Sequence, residues 1–162
     1  MDASTNNEII PAASFKQIDI GFVTPAASIK RFVQCIWVID NPEGSATTLN
    51  EKFYPDAGSS LTFYLDQTNC EAQLFYHTQV CAMPWELACR QISVRFRPGA
   101  LKYLFGLTFD DSKNQQIDIA LAMVKQRDSY QRLQAYLIGK TISQQCLAIQ
   151  HWLIELAENT DG

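Results

Sequence analysis

Two histidines, His77 and His151, and five cysteines, Cys35, Cys70, Cys81, Cys89 and Cys146, are the side chains that first invite a chemical reading. An open-sided catalytic metal takes two or three histidines with a carboxylate at close spacing. His77 and His151 are far apart and fall on elements of different kind, so the sequence predicts neither a metal nor another cofactor. The cysteines are odd in number and form no C-x-x-C pair, which disfavours a zinc knuckle and a secreted disulfide framework. They read as reduced, mostly buried thiols, with Cys70 the most exposed. No small-residue elbow or neighbouring base accompanies any of them, so nucleophilic catalysis lacks its partners and no catalytic residue is assigned.

Binding chemistry is better supplied. Arg95 and Arg97 flank Phe96, so on a strand both point to the face opposite Phe96. A guanidinium fork can bind an anionic effector bidentately, but it can equally pair with Asp56 or Glu86 or cap carbonyls. Pro98 and Gly99 fix a tight junction, so Arg97, Pro98 and Gly99 are read as a structural corner and Arg95 as the effector candidate. Trp37, Tyr54, Phe63, Phe75 and Trp85 either line an apolar pocket or fill the core, and His77 is read as a rim residue or ligand contact. On the last helix, Ile149, Trp152, Leu153 and Leu156 make a stripe that packs on the sheet or pairs with a second copy of the chain.

The elements that position these groups follow from periodicity. Strands are predicted at Phe32 to Ile39, Glu51 to Tyr54, Ser60 to Leu65, Gln73 to His77 and Arg90 to Phe96, separated by turn-forming clusters such as Asn41-Pro42-Glu43-Gly44 and by Met83-Pro84. Leu61, Phe63, Leu65 and Ile92, Val94, Phe96 alternate, so each strand buries one face, and the spacing suits an antiparallel barrel or sandwich. Thr24-Pro25 starts a short helix through Ser28 and Lys30. After Arg97 the period becomes helical: Leu101 to Gly106, Tyr130 to Ile138 closed by Gly139, and a last helix opened by a Thr141/Gln144 capping box. The fold class is α+β, with a lead-in at 1–14 and one domain at 15–162, β-rich over 15–97 and helical over 98–158.

Charge limits the partners. With 13 basic against 17 acidic residues, net −4, the chain lacks the basic surface that unaided DNA binding needs. The longest apolar run is too short to cross a bilayer and the amino terminus lacks a signal layout, so a cytoplasmic protein without a membrane partner is expected.

Three stretches in order resemble the amino-terminal regulatory domain of AraC-type transcription regulators. Pro25, Ile29, Phe32-Val33 and Trp37 are similar to its opening pattern, and Tyr54-Pro55-Asp56 with Leu61-Thr62-Phe63 to its P-D-G-x-x-x-L-v-F element. Val94-Arg95-Phe96-Arg97-Pro98-Gly99-Ala100 followed by Leu104-Phe105-Gly106 resembles its strand-to-helix junction nearly residue for residue. Ala57 stands where the family usually has glycine, with Gly58 one place later, and 78–84 replaces a glycine-proline turn. The resemblance implies a cupin-like domain with appended helices that senses a small effector or dimerises. It also implies that DNA is reached only through two helix-turn-helix units of ~100 residues, absent from this sequence. Two other classes compete: a structural interaction domain without a ligand, and a small cupin-like enzyme.

Overall fold

A computed structural model describes residues 20–40, 48–53, 58–76, 78, 81–86, 89–108, 110, 113–123 and 125–161, with 48–53 and 81–86 as backbone. Among the described residues eight strands are present: β1 (Ile20–Val23), β2 (Val33–Ile39), β3 (Thr48–Phe53), β4 (Ser59–Leu65), β5 (Cys70–Tyr76), β6 (Cys81–Glu86), β7 (Arg90–Phe96) and β8 (Gln115–Asp118). The helices are α1 (Ala100–Phe105), α2 (Ile119–Ala122), α3 (Arg127–Leu137) and α4 (Ile142–Asp161). Six strands form one antiparallel sheet in the order β1-β2-β7-β4-β5-β8, and β3 pairs with β6 as a separate ribbon. The architecture is α+β with carboxyl-terminal helices, and the sheet is open, with β1 and β8 as edges, not closed into a barrel.

The period of two along each strand sorts the sheet into an apolar and a mixed face. Registered neighbours build two apolar rows: Ile36, Val94, Leu61 and Leu74, then Val38, Ile92, Phe63 and Ala72. All eight are at most 5% exposed, and the helices cover them. Each of the larger side chains, all but Ala72, contributes about 1.5–3 kcal/mol of burial free energy, so this layer is where stability concentrates.

Helix α4 closes that layer. Gln144 N–H donates to Thr141 Oγ1 at 3.3 Å while Thr141 N–H donates to Gln144 Oε1 at 3.0 Å, the reciprocal box the sequence predicts. Gly139, at φ +71°, makes the turn out of α3 that a side chain would strain. The two helices return on each other, and Ile149, Trp152, Leu153 and Leu156 project inward, between 0 and 3% exposed. Of the two readings of this stripe, packing on the sheet or pairing with a second copy, these side chains take the first: they belong to the chain's own core.

At the strand-to-helix corner Arg97 N–H donates to Phe32 O at 2.7 Å and its Nε donates to Lys30 O at 2.9 Å. Gly99 follows at φ +85°, where only glycine is unstrained, and α1 begins at the next residue. The short helix expected from Thr24 is a single 3-10 turn, Ala27–Ile29, held to α4 by Ala26 N–H donating to Gln150 Oε1 at 2.7 Å.

Three strands lie outside the sequence expectation. β6 contains Pro84, which reads as a strand breaker, but a two-stranded ribbon has an outer edge where a missing N–H costs no ladder bond. β8 comes from the stretch assigned wholly to helices, and its four residues are too few to show a period. β1 is equally short. The lead-in at 1–14 lies outside the described residues.

Cys70, expected to be the exposed thiol, is 4% exposed instead, with Gln134 Nε2 from α3 donating to its carbonyl at 2.9 Å. Burial first, and the neighbouring Glu71 second, push its pKa from 9.0 to about 12. Between those values the unfolded chain releases the proton and the folded chain keeps it, so this contribution is whole below about pH 9 and is lost as pH rises. The slope is at most about 1.4 kcal/mol per pH unit. Urea unfolding at about pH 8 and about pH 10.5 checks it: Cys70→Ala is expected to lose less stability across that interval than the wild type, and equal losses place the alkaline sensitivity elsewhere.

Candidate functional site

Opposite the helices, the alternate side chains of the same strands form three other rows. Cys35, Arg95, Ser60 and Phe75 are registered neighbours, then Trp37, Ser93, Thr62 and Gln73, then Ile39, Gln91, Tyr64 and Glu71. Here the polarity of the core is inverted. Gln91 and Ser93 are 0% exposed and Thr62 is 5% exposed, so these polar side chains of the face are closed to solvent. An unpaired buried hydroxyl costs about 1–3 kcal/mol, and Thr62 Oγ1 and Ser93 Oγ avoid it by hydrogen-bonding each other at 2.9 Å. Aliphatic side chains would fill the same space without that constraint, and such local departures from packing logic are characteristic of functional sites.

Arg95 is the charged group of the first row. It is the last residue but one of β7, paired with Cys35 on β2 and Ser60 on β4, and its Nη1 donates to Ser60 Oγ at 2.9 Å. Gly58 flanks it: a Cβ there would stand 3.1 Å from Nη2, so the bare backbone is what lets the guanidinium lie alongside. Burial lowers the Arg95 pKa, an effect that neighbouring Cys35 opposes, and the group remains cationic because guanidinium starts so high. For Cys35 the balance runs the other way: burial raises the thiol, and Arg95 only partly offsets it. Tyr64 is pushed up to about 12 by burial, with Cys89 adding to it. Thiol and phenol therefore stay protonated near neutral pH and serve as hydrogen-bonding groups, not as nucleophile or base. The rows combine a guanidinium, hydroxyls, amides and aromatic rings.

Of the residues singled out from sequence, the fold brings Trp37, Phe75 and Arg95 to this face, each half-buried. Phe63 points the other way, 0% exposed, with its ring centroid 6.2 Å from that of Trp152, so it is a core residue and not a pocket wall. Tyr54, His77 and the side chain of Trp85 lie outside the described residues, as does any pairing of Arg95 with Asp56 or Glu86. Ser60, Thr62, Gln91, Ser93 and Gly58 were not expected at the site. Their signal was present: Ser60-x-Thr62-x-Tyr64 and Gln91-x-Ser93-x-Arg95 place polar groups at every second position of two otherwise apolar strands.

A concavity of about 370 Å³ lies between α3 and α4. Leu133, Ala148 and Trp152 form its floor, and Arg132, Tyr136, Leu147 and His151 stand around it. It is shallow, and Tyr136 and Leu147 are respectively 46% and 57% exposed beside it. Among the described residues no three His, Cys, Asp or Glu side chains gather as metal ligands, and no helix is long and apolar enough to cross a membrane.

No curated protein and no solved structure matches the chain. Residues 22–118 match a family described as a domain of unknown function, DUF6597. The match runs from within β1 to the last residue of β8, so it takes in the candidate face and ends before α3 and α4. A match over more than half of the sequence makes this chain a member of the DUF6597 family.

Proposed function

We propose that this domain is a small-molecule sensor of the kind found in the regulatory part of AraC-type transcription regulators. It binds an effector on the mixed face of the sheet and passes the bound state to the carboxyl-terminal helices. The observation that carries the reading is the inverted polarity of that face, where a guanidinium, hydroxyls and an amide are held among Trp37, Phe75 and Tyr64. Ligand sites combine an apolar lining with a few fixed polar groups in this way. The three sequence motifs between Pro25 and Gly106 add support at the level of family resemblance.

A route to the helices is present at the end of β7. Arg90, next to buried Gln91, donates from Nε and Nη2 to Asp40 at 3.0 and 3.3 Å, and from Nη1 to Lys140 O at 3.3 Å and Gln145 Oε1 at 3.0 Å. It ties the sheet to the turn between α3 and α4. An effector acts through such a link only by binding two arrangements with different affinity. In this proposal the protein works in the cytoplasm and reaches DNA through a separate reader domain. Self-association through Ile149, Trp152, Leu153 and Leu156 is no part of it, because their side chains are buried.

Thermal unfolding of the purified domain against a broad library of sugars, aromatic acids and amphiphiles tests the reading. A ligand at a hundredfold excess over its Kd stabilises by about 2.7 kcal/mol, which for a domain of this size is a rise of roughly 5–10 °C. At least one compound is expected to give a saturable rise that Trp37→Ala abolishes. A library with no such compound defeats the proposal.

A further inference from the structure

We propose that the outer face of the α3–α4 hairpin docks a second copy of this chain, about a two-fold axis that runs along the groove between the two helices. This goes beyond the sensor reading and does not depend on it.

Tyr136 on α3 and Leu147 on α4 are 46% and 57% exposed, two of the four large hydrophobic side chains left in water among the described residues. Both line the same concavity of about 370 Å³, one on each wall. The register of the hairpin sets them level. Gln145 Nε2 on α4 donates to Leu137 O at 2.8 Å, and the rings of Tyr130 and Trp152 stand 6.0 Å apart. In this antiparallel pair Tyr136 therefore comes opposite Leu147, and Arg132 comes opposite the turn of α4 that carries His151 and, four residues on, Glu155. The charges divide between the walls. Exposed Arg132 belongs to the α3 wall, where Lys140 Nζ also lies 5.0 Å from the centroid of the Tyr136 ring, and exposed Glu155 belongs to the α4 wall.

A face that meets its own copy has to be self-complementary, residue i on residue j and j on i. Two axes lie in the plane of this face. An axis across the groove lays α3 on α3, which brings Arg132 near the same residue of the other copy and turns Leu147 toward Glu155. An axis along the groove lays α3 of each copy on α4 of the other. Tyr136 then meets Leu147, Arg132 meets the His151–Glu155 turn, and each contact is made twice, so apolar covers apolar and opposite charges face each other. A small ligand is served less well, because ligand sites enclose about 70–90% of their occupant and this hollow is shallow, with Tyr136 and Leu147 standing in water beside it. Size sets the strength. Gln144 to Glu155 is about 18 Å of helix and two helices side by side are roughly 20 Å wide, so each copy covers on the order of 500 Å². The total of about 1,000 Å² is the low end of specific interfaces, and the dimer is accordingly weak, with a Kd on the order of 10–100 µM.

Sedimentation velocity of the purified chain, without effector, from about 5 to about 500 µM reads the mass directly. Salt is held at about 0.15 M, where charges more than ~8 Å apart are screened and net attraction does not mimic a fitted contact. The expected result is a reversible rise from one 18.3 kDa chain toward two. Leu147→Glu, at an exposed position, is expected to keep the wild-type urea midpoint and to weaken association about tenfold or more. Arg132→Glu and Glu155→Arg each set like charges against each other and are expected to weaken it as well. Mixed in equal amounts, those two variants are expected to associate with each other, because every cross-copy contact between positions 132 and 155 then joins opposite charges. Should Leu147→Glu fail to fold, the mixture answers the same question from two exposed positions. A wild-type chain that stays monomeric at about 500 µM overturns the proposal, whether or not a small molecule or another protein binds the groove. A dimer that Leu147→Glu leaves intact places the association on another face. Single charge variants that associate like the wild type, or a mixture that stays monomeric, overturn the axis along the groove.

Discussion

Trp152→Ala is expected to lower the unfolding free energy by about 3–5 kcal/mol, the range for deleting a buried large aromatic side chain. The indole is 3% exposed and its centroid lies 6.2 Å from Phe63, 6.0 Å from Phe105 and 6.0 Å from Tyr130. It therefore touches the sheet, α1 and α3 at once, and no neighbour on one element can relax into the space without losing contact with another. A domain of this size has only about 5–15 kcal/mol in total, so the loss is a large fraction of it. Urea unfolding measures it. A double-mutant cycle with Phe63→Ala separates the pair from the rest, with about 0.5–1.5 kcal/mol expected for the edge-on ring contact and non-additivity of that order. If Trp152→Ala instead leaves stability unchanged and alters only the oligomeric state, Trp152 is an association residue and the packing described for α4 is wrong.

The second large effect is expected at Gly58. A Cβ added there would meet Phe96 O at 2.8 Å, with Arg95 Nη2 at 3.1 Å and Cζ at 3.2 Å. The carbonyl belongs to the last residue of β7, opposite Ser59 where the β4–β7 ladder begins, so it cannot yield without disturbing that ladder. Overpacking of this kind costs about 1–3 kcal/mol. Gly58→Ala is therefore expected to shift the urea midpoint by that amount and to displace the Arg95 guanidinium. Effector affinity then falls along with stability, whereas Ser60→Ala removes one acceptor and leaves the backbone alone. A Gly58→Ala protein as stable as the wild type, with unchanged ligand binding, would show that this end of the sheet has slack and that Arg95 is not held by it.

Much of the fold was legible in the sequence. Alternation in Leu61-Phe63-Leu65 and Ile92-Val94-Phe96 names the core face of two central strands, and Thr141 with Gln144 marks the start of α4, because both signals are local and physical. The site was half legible. Trp37, Phe75 and Arg95 do share a face, but Phe63 was grouped with them by residue type when its alternation with Thr62 already placed it on the other side. Composition alone does not distinguish a pocket aromatic from a core aromatic; facing does, and facing requires the register.

By itself, the sequence determined the division into a sheet followed by helices, the corner at Arg97-Pro98-Gly99 and the inward period of α4, because these follow from side-chain spacing and backbone freedom within a few residues. Only the tertiary structure decided what the exposed-looking and buried-looking groups meet. It spent the α4 stripe on the chain's own core, covered Cys70 with α3, and set Arg95 beside Ser60, Gly58 and Cys35, drawn from three separate strands or their ends. Which strands lie next to one another is settled by how many apolar faces can be buried at once, and that is a property of the whole chain, not of any segment.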